Sequence, residues 1–243
     1  MSTIIGTGYW AGQGEQYKAH FFQLWYEQNI RNIPRLCDSQ FHVVNAASKV
    51  LPVSMYGHWH HMPHNLRHVS SMIQDPIPDE PVCGWSAAFL YLCMVAYHSN
   101  ADLLFVEQDC LAFGRWFDVI QAEVRQRNPD MIVGKPANMS LEQSIVWVRR
   151  GYCLEFIRQY LSIPQPDANA SRTFMLPEDK FNQIKSLNSR IINLPFGYGR
   201  HRPESFKEET FYIQQPTAKD ISSLVSCGRL SGTWSDILQG TWK

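Results

Sequence analysis

Three groups of residues in this chain carry side chains that could do chemistry. The first is the acid-x-acid run Glu107-Gln108-Asp109. Two carboxylates so placed are hard oxygen donors of the kind that Mg²⁺ or Mn²⁺ accepts alongside water. The second is Glu178-Asp179, which follows Pro177 and opens a helix-like stretch. Carboxylates there complement the positive end of a helix, and one of them could also serve as a general base. The third is GHWHHMPHNLRH, with His58, His60, His61, His64 and His68. His64 and His68 are four apart, which puts both on one helix face and could suit a metal. Pro63 interrupts the run and no HExxH is present, so a solvated loop with acceptor-binding histidines is the other reading.

The acid-x-acid run takes its meaning from what precedes it. Residues 84–98 are apolar on almost every side, as in a helix covered by protein all round, and about 15 residues are too few to span a bilayer. Ser99, Asn100 and Asp102 supply turn chemistry. Leu103, Leu104, Phe105 and Val106 then form an unbroken apolar run, the pattern of a strand buried on both faces of a parallel sheet. Glu107 and Asp109 stand directly beyond its carboxyl end, where open α/β sheets form their ligand crevices.

Upstream, residues 3–5 read as a strand ending in the loop GTGYWAGQG, and residues 15–30 as a helix. Gly6, Gly8, Gly12 and Gly14 do not match GxGxxG, so the loop reads as a flexible turn. A second strand at 41–44 ends in Asn45-Ala46-Ala47-Ser48, which places polar groups on the same sheet edge. Residues 75–81, DPIPDEP, are a loop by their three prolines. Downstream the pattern predicts a helix at 116–125, strands at 131–133 and 144–148, a helix at 152–160 and a polar loop at 164–171. A helix at 180–187, a strand at 191–194, the loop GYGRHR, a strand at 209–213 and a helix at 218–226 complete the chain.

The 243 residues suffice for one large core, and 22 basic against 22 acidic side chains leave no basic excess to attract nucleic acid. Six cysteines, Cys37, Cys83, Cys93, Cys110, Cys153 and Cys227, lack metal-site or redox-motif spacing, which fits a reducing compartment. Neither a secretory signal nor a membrane anchor is read at the N-terminus, so a cytoplasmic setting, at most peripheral to a membrane, is expected. Aromatic residues make up 13% of the chain, and Trp59 and Trp147 either stack on sugar faces or, in the commoner role of Trp, lie buried in the core. Arg149 and Arg150 are either surface charges or groups that hold an anionic ligand or an acceptor.

Over about residues 2–203 the order of these elements resembles the GT-A class of nucleotide-sugar-dependent glycosyltransferases. Glu107-Gln108-Asp109 stands where that class has its DxD motif, Glu178-Asp179 matches its later xED motif, and His201 matches its C-terminal metal-binding histidine. Asn45 to Ser48 is similar to its Asp-Asp-x-Ser stretch. The resemblance implies an α/β, Rossmann-like fold with a mostly parallel central sheet flanked by helices. It implies a catalytic domain at 1–203, with 204–243 an extension packed on it. The expected activity is transfer of a sugar, with inversion, from a nucleoside-diphosphate donor to a glycan or other hydroxyl acceptor, with Mn²⁺ or Mg²⁺ held by Asp109, Glu107 and His201. Donor contacts are expected at Thr7, Tyr9, Asn45, Ser48, Gly84, Trp85 and Glu107. Asp179, with Glu178 beside it, is the expected catalytic base. Two alternatives remain at this point: a metal-dependent hydrolase or phosphodiesterase built on the histidine-rich loop, and a binding module for nucleotide sugars without catalysis.

Overall fold

The computed structural model describes residues 2–33, 40–62, 82–137, 140–163, 177–198, 202–203 and 205–234. The chain opens with β1 (Thr3–Tyr9), α1 (Gln16–Asn29), β2 (Phe41–Asn45) and β3 (His58–His61). Next come α2 (Val82–His98), β4 (Asp102–Val106), β5 (Cys110–Phe113) and α3 (Trp116–Arg127). After these follow β6 (Met131–Ala137), β7 (Ser140–Val148), α4 (Arg150–Ser162), α5 (Pro177–Leu187), β8 (Ile191–Asn193), β9 (Phe211–Gln214) and α6 (Ala218–Ser226).

Seven strands form the central sheet in the order β3-β2-β1-β4-β7-β6-β8, and β5 pairs with β9 in a small second sheet. The β1, β2, β3 and β4 pairings are parallel, as is β6 with β8, whereas β7 runs antiparallel to both β4 and β6. The expected mostly parallel sheet flanked by helices is therefore present, and β7 is its one reversed strand. Side chains alternate between the two faces as strand geometry demands. Ile5, Val43, Leu104, Ile145 and Trp147 join one apolar cluster with α1, α3, α6 and the small sheet. Ile4, Val44, Leu103, Phe105, Val146 and Val148 join another with α2, α4 and α5. Burial on both faces explains why residues 103–106 carry no alternation.

The glycines near the N-terminus have a different role from the one their sequence suggests. Gly6 and Gly8 lie inside β1, which continues to Tyr9, and not in a loop. A Cβ on Gly6 would lie 2.7 Å from Cδ1 of Leu92, and one on Gly8 would lie 3.1 Å from the Cβ of Ala88. Both glycines face α2 and let that helix settle close to the sheet. Asn100 then ends the helical segment in the left-handed conformation (φ 55°), and the N–H of Ala101 bonds the carbonyl of Ala96 at 3.0 Å. That compact turn leads directly into β4.

Strand β5 carries no signal in the sequence reading, although it follows the acid run at once. Its pairing with β9 joins Cys110 to Gln214 and Phe113 to Phe211. The edge of β5 away from β9 is met by two side chains of α1. Asn29 donates from Nδ2 to the carbonyl of Cys110 at 2.7 Å and accepts from the N–H of Ala112 at 2.8 Å. Gln28 donates to the carbonyl of Ala112 at 2.8 Å. These amides do for β5 what a neighbouring strand would do.

Among the described residues no helix is long and apolar enough to cross a membrane. Cys93, Cys110 and Cys153 are buried free thiols, and Cys227 is an exposed one.

Candidate active site

Strands β1, β2 and β4 end together, and their polar termini build one ledge. Asn45 accepts the N–H of Ser48 at 3.0 Å, and the Ser48 hydroxyl accepts the N–H of Ala11 at 3.1 Å while donating to the carbonyl of Tyr9 at 3.3 Å. Asn45 and Ser48 thus join the ends of β2 and β1. Ala47 between them adopts a left-handed conformation with φ 56°. Tyr9 is buried, donates its hydroxyl to the carbonyl of Val50 at 3.0 Å and packs edge-on against Phe22. Burial and, after it, the nearby Glu15 raise the pKa of its phenol far above the ordinary value. Thr7 is fully buried in mid-strand, with its hydroxyl on the carbonyl of Gly8, and it presents nothing to a ligand.

Beyond β4 the three residues of the acid run have three different settings. The Glu107 backbone is fixed by its N–H on Ser144 O at 2.8 Å, and its carbonyl accepts the indole N–H of Trp25 at 2.8 Å. Its carboxylate Oε2 accepts from Nε2 of Gln214 at 2.7 Å. Gln108 accepts the Trp10 N–H at 2.7 Å and donates to the Trp10 carbonyl at 3.0 Å. Asp109 takes the N–H of Gln215 on its backbone carbonyl at 2.7 Å, and its side chain lines a cavity.

That cavity, of about 340 Å³, lies on the α1 side of the ledge. Tyr9, Tyr17, Phe21 and Phe22 form its aromatic walls, while Lys18, Gln108, Asp109 and Gln215 bring polar groups to it. The pKa of the Tyr17 phenol is raised by burial first, then by the charges of Glu15 and Asp109. The Cys110 thiol is held well above its ordinary value by burial first, and then by the charges of Asp109, Glu107 and Glu142. Glu142 is a buried carboxylate of β7 that the sequence reading did not single out.

Trp85 locates the Glu178-Asp179 pair relative to this ledge. Its ring stacks on Phe89 with centroids 5.0 Å apart and meets Phe105 and Phe181 edge-on at 5.3 and 5.6 Å. Phe105 stands two residues before Glu107, and Phe181 two residues after Asp179. The first turn of α5 is thereby brought to the same sheet edge, on the α2 side. The indole N–H of Trp85 is buried and has no hydrogen-bond partner among the described residues. Gly84 lies one residue earlier, in the first turn of α2. Lys180 anchors α5 by donating to the carbonyls of Tyr160 and Ile163 at 3.2 and 3.3 Å, at the end of α4 where a cation complements the helix dipole. His201 lies outside the described residues.

The structure also decides between the readings of the arginines and tryptophans, and it changes that of the histidine run. Arg149 pairs with Asp130, and the Arg150 N–H caps onto Asp102 at 2.9 Å. Both belong to the opposite edge of the sheet, at the amino end of β4, and cannot reach a diphosphate beside Asp109. Trp147 is 1% exposed in the core, so no sugar can stack on it. Trp59 is half-buried against Tyr9 and Phe22, with its N–H on the carbonyl of Tyr56. His58 to His61 form the edge strand β3 and not a loop. Nδ1 of His42 and Nε2 of His60 share a hydrogen bond of 2.9 Å, and Nδ1 of His60 meets the Tyr91 hydroxyl at 3.0 Å, which consumes the ring nitrogens of His60. His64 and His68 lie outside the described residues.

Among the described residues no three His, Cys, Asp or Glu side chains converge on a metal position. Glu107 and Asp109 alone do not make a cage for a resident ion. One or two carboxylates are what Mg²⁺ or Mn²⁺ commonly takes from a protein when the ion keeps most of its water.

The chain is similar in fold to a known enzyme. Its structure aligns with the crystal structure of mouse xyloside xylosyltransferase 1 in the apo form, at a TM-score of 0.50 and 9% sequence identity. The alignment covers 87% of this chain and 97% of that one. The fold is GT-A-like. No protein-family model and no curated protein matches the sequence.

Proposed function

We propose that the chain transfers a sugar from a nucleoside-diphosphate donor to the hydroxyl of a glycan or other acceptor, with Mg²⁺ or Mn²⁺ assistance. The observation that carries this reading is the cavity at the carboxyl ends of β1 and β4, with its aromatic walls and Asp109 among its lining residues, two positions beyond Glu107. Aromatic faces suit a planar base or the apolar face of a sugar, and the carboxylates suit the metal that a diphosphate needs. In the proposed site Asp109 and Glu107 hold the ion, which when bound supplies neutralising charge to the leaving diphosphate. Tyr9 and Tyr17 shape the donor cavity, and Asn45 and Ser48 fix the strand ends around it. Asp179, at the start of α5, takes the proton of the attacking hydroxyl, with Glu178 beside it. A base in that position implies inversion at the transferred carbon. His201 belongs to the proposal through the sequence resemblance alone.

The reading is tested by a thermal-shift panel of nucleoside diphosphates and their sugars, with and without Mn²⁺. A ligand at a hundred times its Kd stabilises by about 2.7 kcal/mol, which raises Tm by about 5–10 °C for a chain of this size. We expect one base to give such a shift only with Mn²⁺, and Asp109→Ala to abolish it. A flat panel would refute the donor assignment. Asp179→Asn then separates enzyme from binding module: it should leave the shift intact and stop transfer.

A further inference from the structure

We propose that Gln214 is a positioning residue for Glu107, so that β9 and the turn after it form part of the donor site. This rests on the reading of Glu107 and Asp109 as the metal–diphosphate end of that site. Gln214 lies 107 residues beyond Glu107 and is 2% exposed. Its side-chain amide donates to Glu107 Oε2 at 2.7 Å. A neutral donor suits this place. It fixes the rotation of the carboxylate, while a lysine or arginine there would cancel the charge a metal ion needs.

The turn that carries Gln214 is itself held from several sides. Gln215 adopts φ 51° immediately before Pro216, a conformation that a non-glycine residue keeps only when its surroundings impose it. Its N–H bonds the Asp109 carbonyl at 2.7 Å. Arg202 donates from Nη2 to the carbonyls of Gln214 and Gln215 at 2.5 and 2.9 Å, and from Nε to Asp220 at 3.0 Å. Asp220 in turn closes a capping box with Thr217 at the start of α6. Gln215 and Pro216 also line the Asp109 cavity. One turn therefore touches Glu107 through a side chain, Asp109 through the backbone and the cavity through its wall. A contact that only held two strands together would not need the strained residue at the cavity's edge.

The test uses the full chain, with Mn²⁺ plus UDP, GDP or ADP as probes and dissociation constants read by titration calorimetry. Gln214→Met keeps the volume and removes the donor. We expect it to lower the ligand-free Tm by a few degrees and to weaken the Mn²⁺–nucleotide complex about tenfold. The exchange Glu107→Gln with Gln214→Glu restores the hydrogen bond with donor and acceptor reversed. It should return the ligand-free Tm toward wild type while affinity stays about tenfold down, because the carboxylate has moved to β9. Should Gln214→Met fail to fold, Gln214→Asn, which keeps an amide but shortens its reach toward Glu107, takes its place with the same expected loss. Wild-type affinity in the folded Gln214 single variant overturns the positioning role and leaves the donor site standing, whereas wild-type affinity in the exchange overturns the role of Glu107 itself and the positioning role with it. Absence of binding by the wild type for all three nucleotides overturns the donor reading, and the positioning role with it.

Discussion

Asn29 offers a sharp test of how β5 is held beneath the acid run. It is 1% exposed, and its amide uses both ends on β5: Nδ2 donates to Cys110 O, and Oδ1 accepts from Ala112 N. Asn29→Asp preserves shape and the acceptor but replaces the donor with a second oxygen facing the Cys110 carbonyl. Burial among apolar groups then favours the protonated carboxyl, whose O–H can donate where the amide did. The introduced pKa should rise from about 3.9 to about 6 or 7, a difference worth about 3–4 kcal/mol. The sign follows from linkage. A group whose folded pKa is raised contributes its stability fully below the unfolded pKa, and loses it as pH climbs through the folded one. The variant should therefore match wild type near pH 4 and fall about 3–4 kcal/mol behind at pH 8. Urea midpoints of both proteins across that range measure the gap, and Asn29 itself does not titrate. A gap independent of pH, or no gap at pH 8, would refute the idea that a side-chain amide serves as the missing neighbour of β5.

Gly6→Ala should destabilise by about 1–3 kcal/mol through its contact with Leu92, and adding Leu92→Ala should cost less than the sum of the two single changes, as read by a double-mutant cycle in urea. Arg149→Ala should lower stability by about 1 kcal/mol through loss of the partly exposed Asp130 pair, and leave any nucleotide-induced Tm shift unchanged. The His60 imidazole has its pKa lowered by burial first and then by His58 and His61. Its contribution to stability is present above about pH 6.5 and is lost as pH falls through the lowered value. The stability difference between wild type and His60→Gln should thus shrink on acidification, in denaturant titrations from pH 8 to pH 5.

Local patterns reported the sheet edge well. The unbroken run Leu103 to Val106 identified a doubly buried strand, and the chemistry beyond it followed from direction alone. The helix starting at Pro177 was likewise legible from its acidic first turn. What stayed hidden depends on partners far along the chain. Cys110 to Phe113 is four residues long and has no turn signal before it, and its pairing with residues 211–214 is a contact across a hundred positions. Gln214 therefore had no local mark, and neither had Glu142. Gly6 and Gly8 misled for a related reason: a glycine that admits a helix looks the same in sequence as one that admits a turn. The histidine run misled because its composition suggested a loop, whereas parallel pairing with β2 stacks His60 on His42 at 5.2 Å. Arg149 and Arg150 stood at the wrong end of the sheet because β7 is reversed, a fact of topology that no side chain announces.

The double hydrogen bond of Gln108 to Trp10 has a mechanical consequence. One amide grips both polar groups of a single residue, so the loop after β1 cannot rise without dragging the middle of the acid run along. The two segments form one lever arm, and the ends of β1 and β4 are its fulcrum. Glutamate at 108 could still accept but not donate, and the grip would become a hinge. Any opening of the cavity that spares this grip must turn on the other wall, where Gln215 and Pro216 stand.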